Sequence, residues 1–186
     1  MMNKIALAAT LAISAFSAHA SSQLVTNGDF ETGNFYGWTK SGNPSLSDVI
    51  ANTVTSDHTY LWRSGATGSP AYIDQVLGTT PGTHYELSFD VYNSATSNST
   101  FSASFGGSTV ESFTNELHNW THYSFEVIAN SALTDLKFGA RNDPNYTRLD
   151  NVSVVALTTA VPEAGNAAML LAGLGLFGVF ATRRKA

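Results

Sequence analysis

Cysteine is absent from the 186 residues. That excludes disulfide bracing and thiol chemistry, and leaves stability to packing or to a bound ion. Charge is scarce and one-sided: 12% of residues are Asp, Glu, Lys or Arg, with 14 acids against 9 bases. Four of the bases (Lys4, Arg183, Arg184, Lys185) and one acid (Glu163) lie in the terminal segments. The interior of the chain is left with five bases against thirteen acids, a formal charge of −8. Such a surface stays soluble and disfavours nucleic acid. Between residues 21 and 156 no apolar stretch has helical period, which excludes a helical bundle. Signatures of catalysis are missing too. There is no Gly-x-Ser-x-Gly elbow. His118 and His122 stand four apart but lack the Glu of His-Glu-x-x-His, and Phe105-Gly106-Gly107-Ser108 lacks the Lys-Ser/Thr of a phosphate loop. The expectation is a protein that is not an enzyme.

What the chain does have begins at its two ends. In residues 1–20, Lys4 precedes the mostly apolar run Ile5–Phe16, and Ala18-His19-Ala20 forms a small-x-small cleavage site after Ala20. This is the pattern of a secretory signal peptide, outside the fold. At the other end, Ala164–Thr182 runs 19 residues without a charge. As a helix it reaches about 28 Å, close to the roughly 30 Å hydrocarbon core of a bilayer. Arg183, Arg184 and Lys185 follow at once, within residues 183–186, and basic residues favour the cytoplasmic side. The expectation is a single transmembrane helix over 164–182, a linker over 157–163 containing Val161-Pro162-Glu163, and an outer domain over 21–156.

That domain reads as all-β. Tyr85, Leu87, Phe89 and Val91 alternate with His84, Glu86, Ser88 and Asp90, and the same period of two recurs at Phe101–Phe105, Tyr123–Val127, Leu136–Ala140 and Val152–Ala156. A first strand is expected over Leu24–Glu31, with shorter ones near Ser47–Val54, Tyr60–Arg63, Tyr72–Leu77 and Thr109–Phe113. Turn signals divide them at Gly33-Asn34, Ser41-Gly42-Asn43-Pro44, Pro81-Gly82, Gly106-Gly107 and Asn142-Asp143-Pro144-Asn145. Many short strands spaced by turns indicate a β-sandwich, with a jelly roll favoured over an immunoglobulin-like layout. Trp38 is expected in the core.

Two resemblances narrow this reading. The tail, with Val161-Pro162-Glu163, the Gly- and Leu-rich Met169–Leu176 and terminal Arg183-Arg184-Lys185, resembles the PEP-CTERM sorting signal of Gram-negative bacteria, although Ala164 stands where Pro is usual. The resemblance implies export, transient anchoring by the tail, processing near Pro162-Glu163 by an exosortase, and delivery to the cell surface or beyond. Asn27-Gly28-Asp29-Phe30-Glu31-Thr32-Gly33, Asp74-Gln75-Val76-Leu77, Pro81-Gly82-Thr83-His84-Tyr85 and Leu149-Asp150-Asn151-Val152 occur in the order of galactose-binding-like jelly rolls and carbohydrate-binding modules, which they resemble. That resemblance implies a structural Ca²⁺ held by Glu31 and Asp150, with Asp29 as a further ligand, since Ca²⁺ takes six to eight oxygens.

Sugar rings stack on exposed aromatic faces. The candidates are Tyr60, Trp62, Tyr72, Tyr92 and Tyr146, flanked by Arg63 and Asn142; Tyr92 falls on the polar phase of its strand. The expected function is therefore a non-catalytic, exported cell-envelope or matrix protein, with an exopolysaccharide-binding module as the alternative.

Overall fold

The computed structural model describes residues 22–51 and 59–157. The signal-cleavage residues Ala18 and Ala20, and the tail residues Val161, Pro162, Glu163, Arg183, Arg184 and Lys185 with the expected helix, lie outside the described residues.

Ten strands occur among the described residues: β1 (Thr39–Gly42), β2 (Ser47–Ala51), β3 (Tyr60–Ser64), β4 (Ala71–Gly78), β5 (His84–Asn93), β6 (Ser99–Phe105), β7 (Ser108–Thr114), β8 (His118–Ile128), β9 (Leu133–Asn142) and β10 (Thr147–Ala156). They pair antiparallel in two five-stranded sheets. We call β2-β3-β10-β5-β8 the front sheet and β1-β4-β9-β6-β7 the back sheet. The all-β jelly-roll expectation holds.

Alternation dictates which side chains face inward. Along β5, Tyr85, Leu87, Phe89, Val91 and Asn93 are buried, whereas His84, Glu86, Ser88, Asp90 and Tyr92 are not. In the interior Phe89 meets Phe138 edge-on at 5.2 Å and stacks on Tyr123 at 5.5 Å, and Phe101 stacks on Phe113 at 5.1 Å. Such aromatic pairs add to the burial of apolar area that drives the two sheets together. Trp38 joins this core as expected, stacked on Phe30 at 5.7 Å, its indole N–H donating to the Asn27 carbonyl at 3.0 Å.

The expected first strand over Leu24–Glu31 is corrected. Gln23 makes an isolated bridge to Val155 of β10, and the chain then turns, Gly28 accepting the Val152 N–H at 2.9 Å. Asn27 and Phe30 have φ of 53° and 54°, left-handed values incompatible with extended backbone. Gly28 passes so close to β10 that a Cβ would sit 2.0 Å from the Val152 carbonyl oxygen. The segment is thus a plug, burying Val25 and Phe30. Further along, Ser41-Gly42 belongs to β1 rather than to a turn. The turn falls at Asn43 and the 3-10 segment Pro44–Leu46.

Candidate functional site

Register fixes which side chains meet on the outer surface of the front sheet. Arg148 of β10 pairs with Arg63 of β3 on one side and with Tyr92 of β5 on the other, and Arg63 pairs with Asp48 of β2. On β8, Trp120 places its ring 5.8 Å from that of Tyr92. A line of outward side chains therefore crosses all five strands: Trp120, Tyr92, Arg148, Arg63, Asp48. At about 4.8 Å per strand it spans roughly 19 Å.

Each member is held in place. The Arg63 guanidinium donates twice to the Asp48 carboxylate, at 2.7 and 2.9 Å, and lies 4.3 Å over the Tyr146 ring. The Asp48 hydrogen bond, opposed by burial and aided by the Asp48 charge, raises the Arg63 pKa above its usual value. Tyr146 leaves the β9–β10 loop and lies flat on Gly65, where a Cβ would come within 2.7 Å of the ring. Only glycine allows this seat. The Arg148 guanidinium lies 5.0 Å over Tyr92. Tyr92, Trp120, Tyr146, Arg63 and Arg148 are all half-buried, so each keeps part of its surface to solvent.

Beside this line the same face is polar. Asp90 accepts from or pairs with His122 at 2.7 Å and accepts from the Asn151 amide at 2.6 Å. Farther along, Ser124 donates to Glu86 at 2.8 Å. His118 does not join His122. Its ring packs 4.2 Å from Phe113 and contacts the Tyr123 hydroxyl, so the two histidines serve different surroundings.

Of the aromatic candidates, Tyr92 and Tyr146 come together on this line with Arg63, and three do not. Trp62 is corrected: it is fully buried, facing inward on β3, and its indole N–H donates to Ser47 at 2.8 Å. Tyr60 shares that inward phase, packs against the core and lies over Gly33. Tyr72 sits on the outer surface of the back sheet, over Gly139 and 4.8 Å from the Lys137 ammonium. Asn142 is corrected as well: wholly buried, it donates to Asn93 and Thr147 in a network closing one end of the sandwich. Trp120 and Arg148 were missed. Trp120 marks a strand start in the sequence, and only the register shift between Val91 and Asn93 brings it beside Tyr92.

The three candidate metal ligands lie beside the line: Asp150 of β10 is directly opposite Asp90 of β5 and two residues from Arg148, and Asp29 and Glu31 belong to the plug. Asp150 is fully buried and accepts the Asn151 amide at 2.8 Å. Burial, opposed by that hydrogen bond and reinforced by Glu31, Asp90 and Asp29, pushes its pKa up to about 7. Glu31 Oε1 accepts the Thr59 and Tyr60 amides at 2.8 and 2.9 Å, and Asp29 accepts the Glu31 amide at 3.3 Å. Among the described residues no group of three or more His, Asp or Glu is arranged to hold a metal ion.

Comparison with known proteins sharpens this picture. A carbohydrate binding domain family model matches residues 22–141, more than half of the chain, and a PEP-CTERM protein-sorting motif matches residues 160–185. Tyr146, Arg148 and Asp150 lie beyond the first of these stretches. No curated relative matches the sequence. Among solved structures, TmCBM61 in complex with beta-1,4-galactotriose shares the fold with a TM-score of 0.59 at 17% identity, covering 74% of this chain and all of that one. The CBM22-1 xylan-binding domain of Paenibacillus barcinonensis Xyn10C gives 0.53 at 19% identity, covering 77% and 100%. The K3 cleaved adhesin domain of Lys-gingipain from Porphyromonas gingivalis gives 0.56 at 13%, covering 73% and 99%.

Proposed function

Because the chain belongs to the carbohydrate binding domain family, we propose that the line Trp120, Tyr92, Arg148, Arg63 and Tyr146 is its glycan-binding face. One observation carries the reading: three rings are seated at both ends of a fixed pair of guanidiniums on one exposed surface. Rings supply flat apolar area for a sugar face, and the guanidiniums supply donors for its hydroxyls. Because the side chains are already locked, ligand binding loses little rotamer freedom. The domain is read as a binding module without catalysis, which reverses the order of the two expectations drawn from the sequence. Glycan affinity comes first and a passive matrix role second.

The chain carries the PEP-CTERM sorting motif. We read this as export, transient anchoring through the tail, processing by an exosortase, and display at the cell surface or beyond, where an exopolysaccharide is the natural ligand class. The test is affinity electrophoresis of the domain through gels holding neutral and acidic polysaccharides. At least one glycan should retard it, and Tyr92→Ala and Trp120→Ala should each weaken retardation about tenfold, near 1.4 kcal/mol. Free migration in every gel, or undiminished retardation of both variants, would overturn the reading.

A structural Ca²⁺ at Asp150 and Glu31 completes it. The observation behind this is the crowding of Glu31, Asp90 and Asp29 around a buried carboxyl, an excess of negative charge that a divalent cation would offset. Backbone carbonyls and water would fill the remaining coordination sites. EDTA should then lower the melting temperature, and Asp150→Ala should abolish the difference. A melt indifferent to EDTA would exclude the ion.

A further inference from the structure

We infer that the ligand of the front-sheet line is an acidic polysaccharide, one whose carboxylates seat on Arg148 between the rings. The inference rests on the glycan reading above and adds the chemical class of the sugar. The domain has five bases, and two of them, Arg63 and Arg148, are direct cross-strand partners on β3 and β10. Like charges set directly opposite each other across a sheet oppose its stability.

Arg63 is compensated by the bidentate Asp48. Arg148 is not: among the described residues no carboxylate lies within salt-bridge reach of it, and its guanidinium rests only against the Tyr92 ring. A half-buried arginine has five N–H donors in a planar fork. That fork matches a carboxylate in two parallel hydrogen bonds. The Tyr92 ring under Arg148 and the clamped Arg63 beside it keep the fork from folding away.

Placement favours a sugar acid over a small anion. Trp120 and Tyr92 lie on one side of Arg148, and Arg63 with Tyr146 on the other. A carboxylate on Arg148 therefore puts flanking rings within reach of the units before and after it. A lone anion would use the guanidinium and leave the rings idle. The domain's formal −8 opposes a polyanion at long range. That field is screened beyond about 8 Å at physiological ionic strength, whereas a pair in contact is not. Affinity for an acidic chain should thus be poorer in very dilute buffer than at 0.15 M salt, the reverse of a basic protein.

The test uses isothermal titration of the full chain in detergent with two uronic-acid polymers, polygalacturonate and alginate. Each is run beside its own carboxyl-reduced, neutral form. At least one acidic form should bind roughly ten- to a hundredfold more tightly than its reduced counterpart, the range expected of one charge-assisted contact. Arg148→Gln should erase that ratio, weakening binding of the acidic form far more than that of the reduced form. Arg148→Lys should keep only part of it. Asp48→Asn removes a repelling carboxylate and releases Arg63, so it should raise the ratio several-fold. Equal affinity for acidic and reduced forms, or a ratio untouched by Arg148→Gln in a protein that melts normally, would overturn the proposal. In that event, loss of neutral-glycan binding on Tyr92→Ala would still leave the broader reading standing.

Discussion

The outer surfaces of the two sheets are built from the same strand period and differ in almost everything else. The front surface assembles three rings and two guanidiniums along one crossing of five strands. The back surface offers Ser102, Ser104 and Ser112 with one ring, Tyr72, resting on Gly139 beside Lys137. Cross-strand register makes the difference. On the front, long side chains fall opposite one another. On the back, Tyr72 falls opposite Gly139, and Gly139 opposite Ser102. The two surfaces thus differ in whether large groups are neighbours, and a ligand senses the neighbours.

This contrast can be broken in three ways, from strongest to weakest. The rings beneath the front surface hold the fold, and those above it do not. Trp62→Ala should cost about 3–5 kcal/mol, as deletion of a buried aromatic does, and should shift the denaturant midpoint strongly. Tyr92→Ala should leave that midpoint nearly where it was. A Trp62 variant of normal stability would show that the two roles have been exchanged.

The second concerns the buried acid under the front surface. In the fold, burial raises the Asp150 pKa to about 7 from the usual 3.8. A raised carboxyl stabilises the fold fully below the unfolded value and loses that contribution as pH climbs through the folded one. With EDTA present, stability should therefore decline by a few kcal/mol between about pH 4 and pH 7, and Asp150→Asn should flatten the decline. A bound Ca²⁺ would require the ionised form, so adding the ion should also remove the slope. A slope identical in wild type and Asp150→Asn would assign the effect elsewhere.

The smallest effect expected is on the back. Tyr72→Ala should alter glycan affinity by less than about twofold, within the noise of about 0.4 kcal/mol. A tenfold loss there would move the binding surface to the other sheet.

Much of the sandwich was legible in the sequence because β5, β8 and β9 bury one face only, so period two shows plainly. The plug was not legible. Val25 and Phe30 are as apolar as strand residues, and only the left-handed φ at Asn27 and Phe30, which the sequence does not display, separates the two. Trp62 was misassigned for a related reason. Leu61 on the opposite phase of β3 is also buried, so Tyr60-Leu61-Trp62 has no polar position to reveal which ring faces out. Tyr92 and Tyr146 were legible as rings among polar neighbours. Trp120 and Arg148 became members of the line only through pairing register, a property of two strands at once. The sorting motif was read from local order alone, since it needs no partner strand.

The bridge between Gln23 and Val155, and the hydrogen bond from Leu157 to His84, set both ends of the domain at one pole of β10. Arg148 stands near the other pole, about 25 Å away along the strand. Under the anchoring proposed above, the proposed glycan-binding surface would stand at the pole of the domain remote from where its described backbone ends, like a hand at the end of a forearm. Removal of the tail by the proposed processing would then free the molecule without touching that surface.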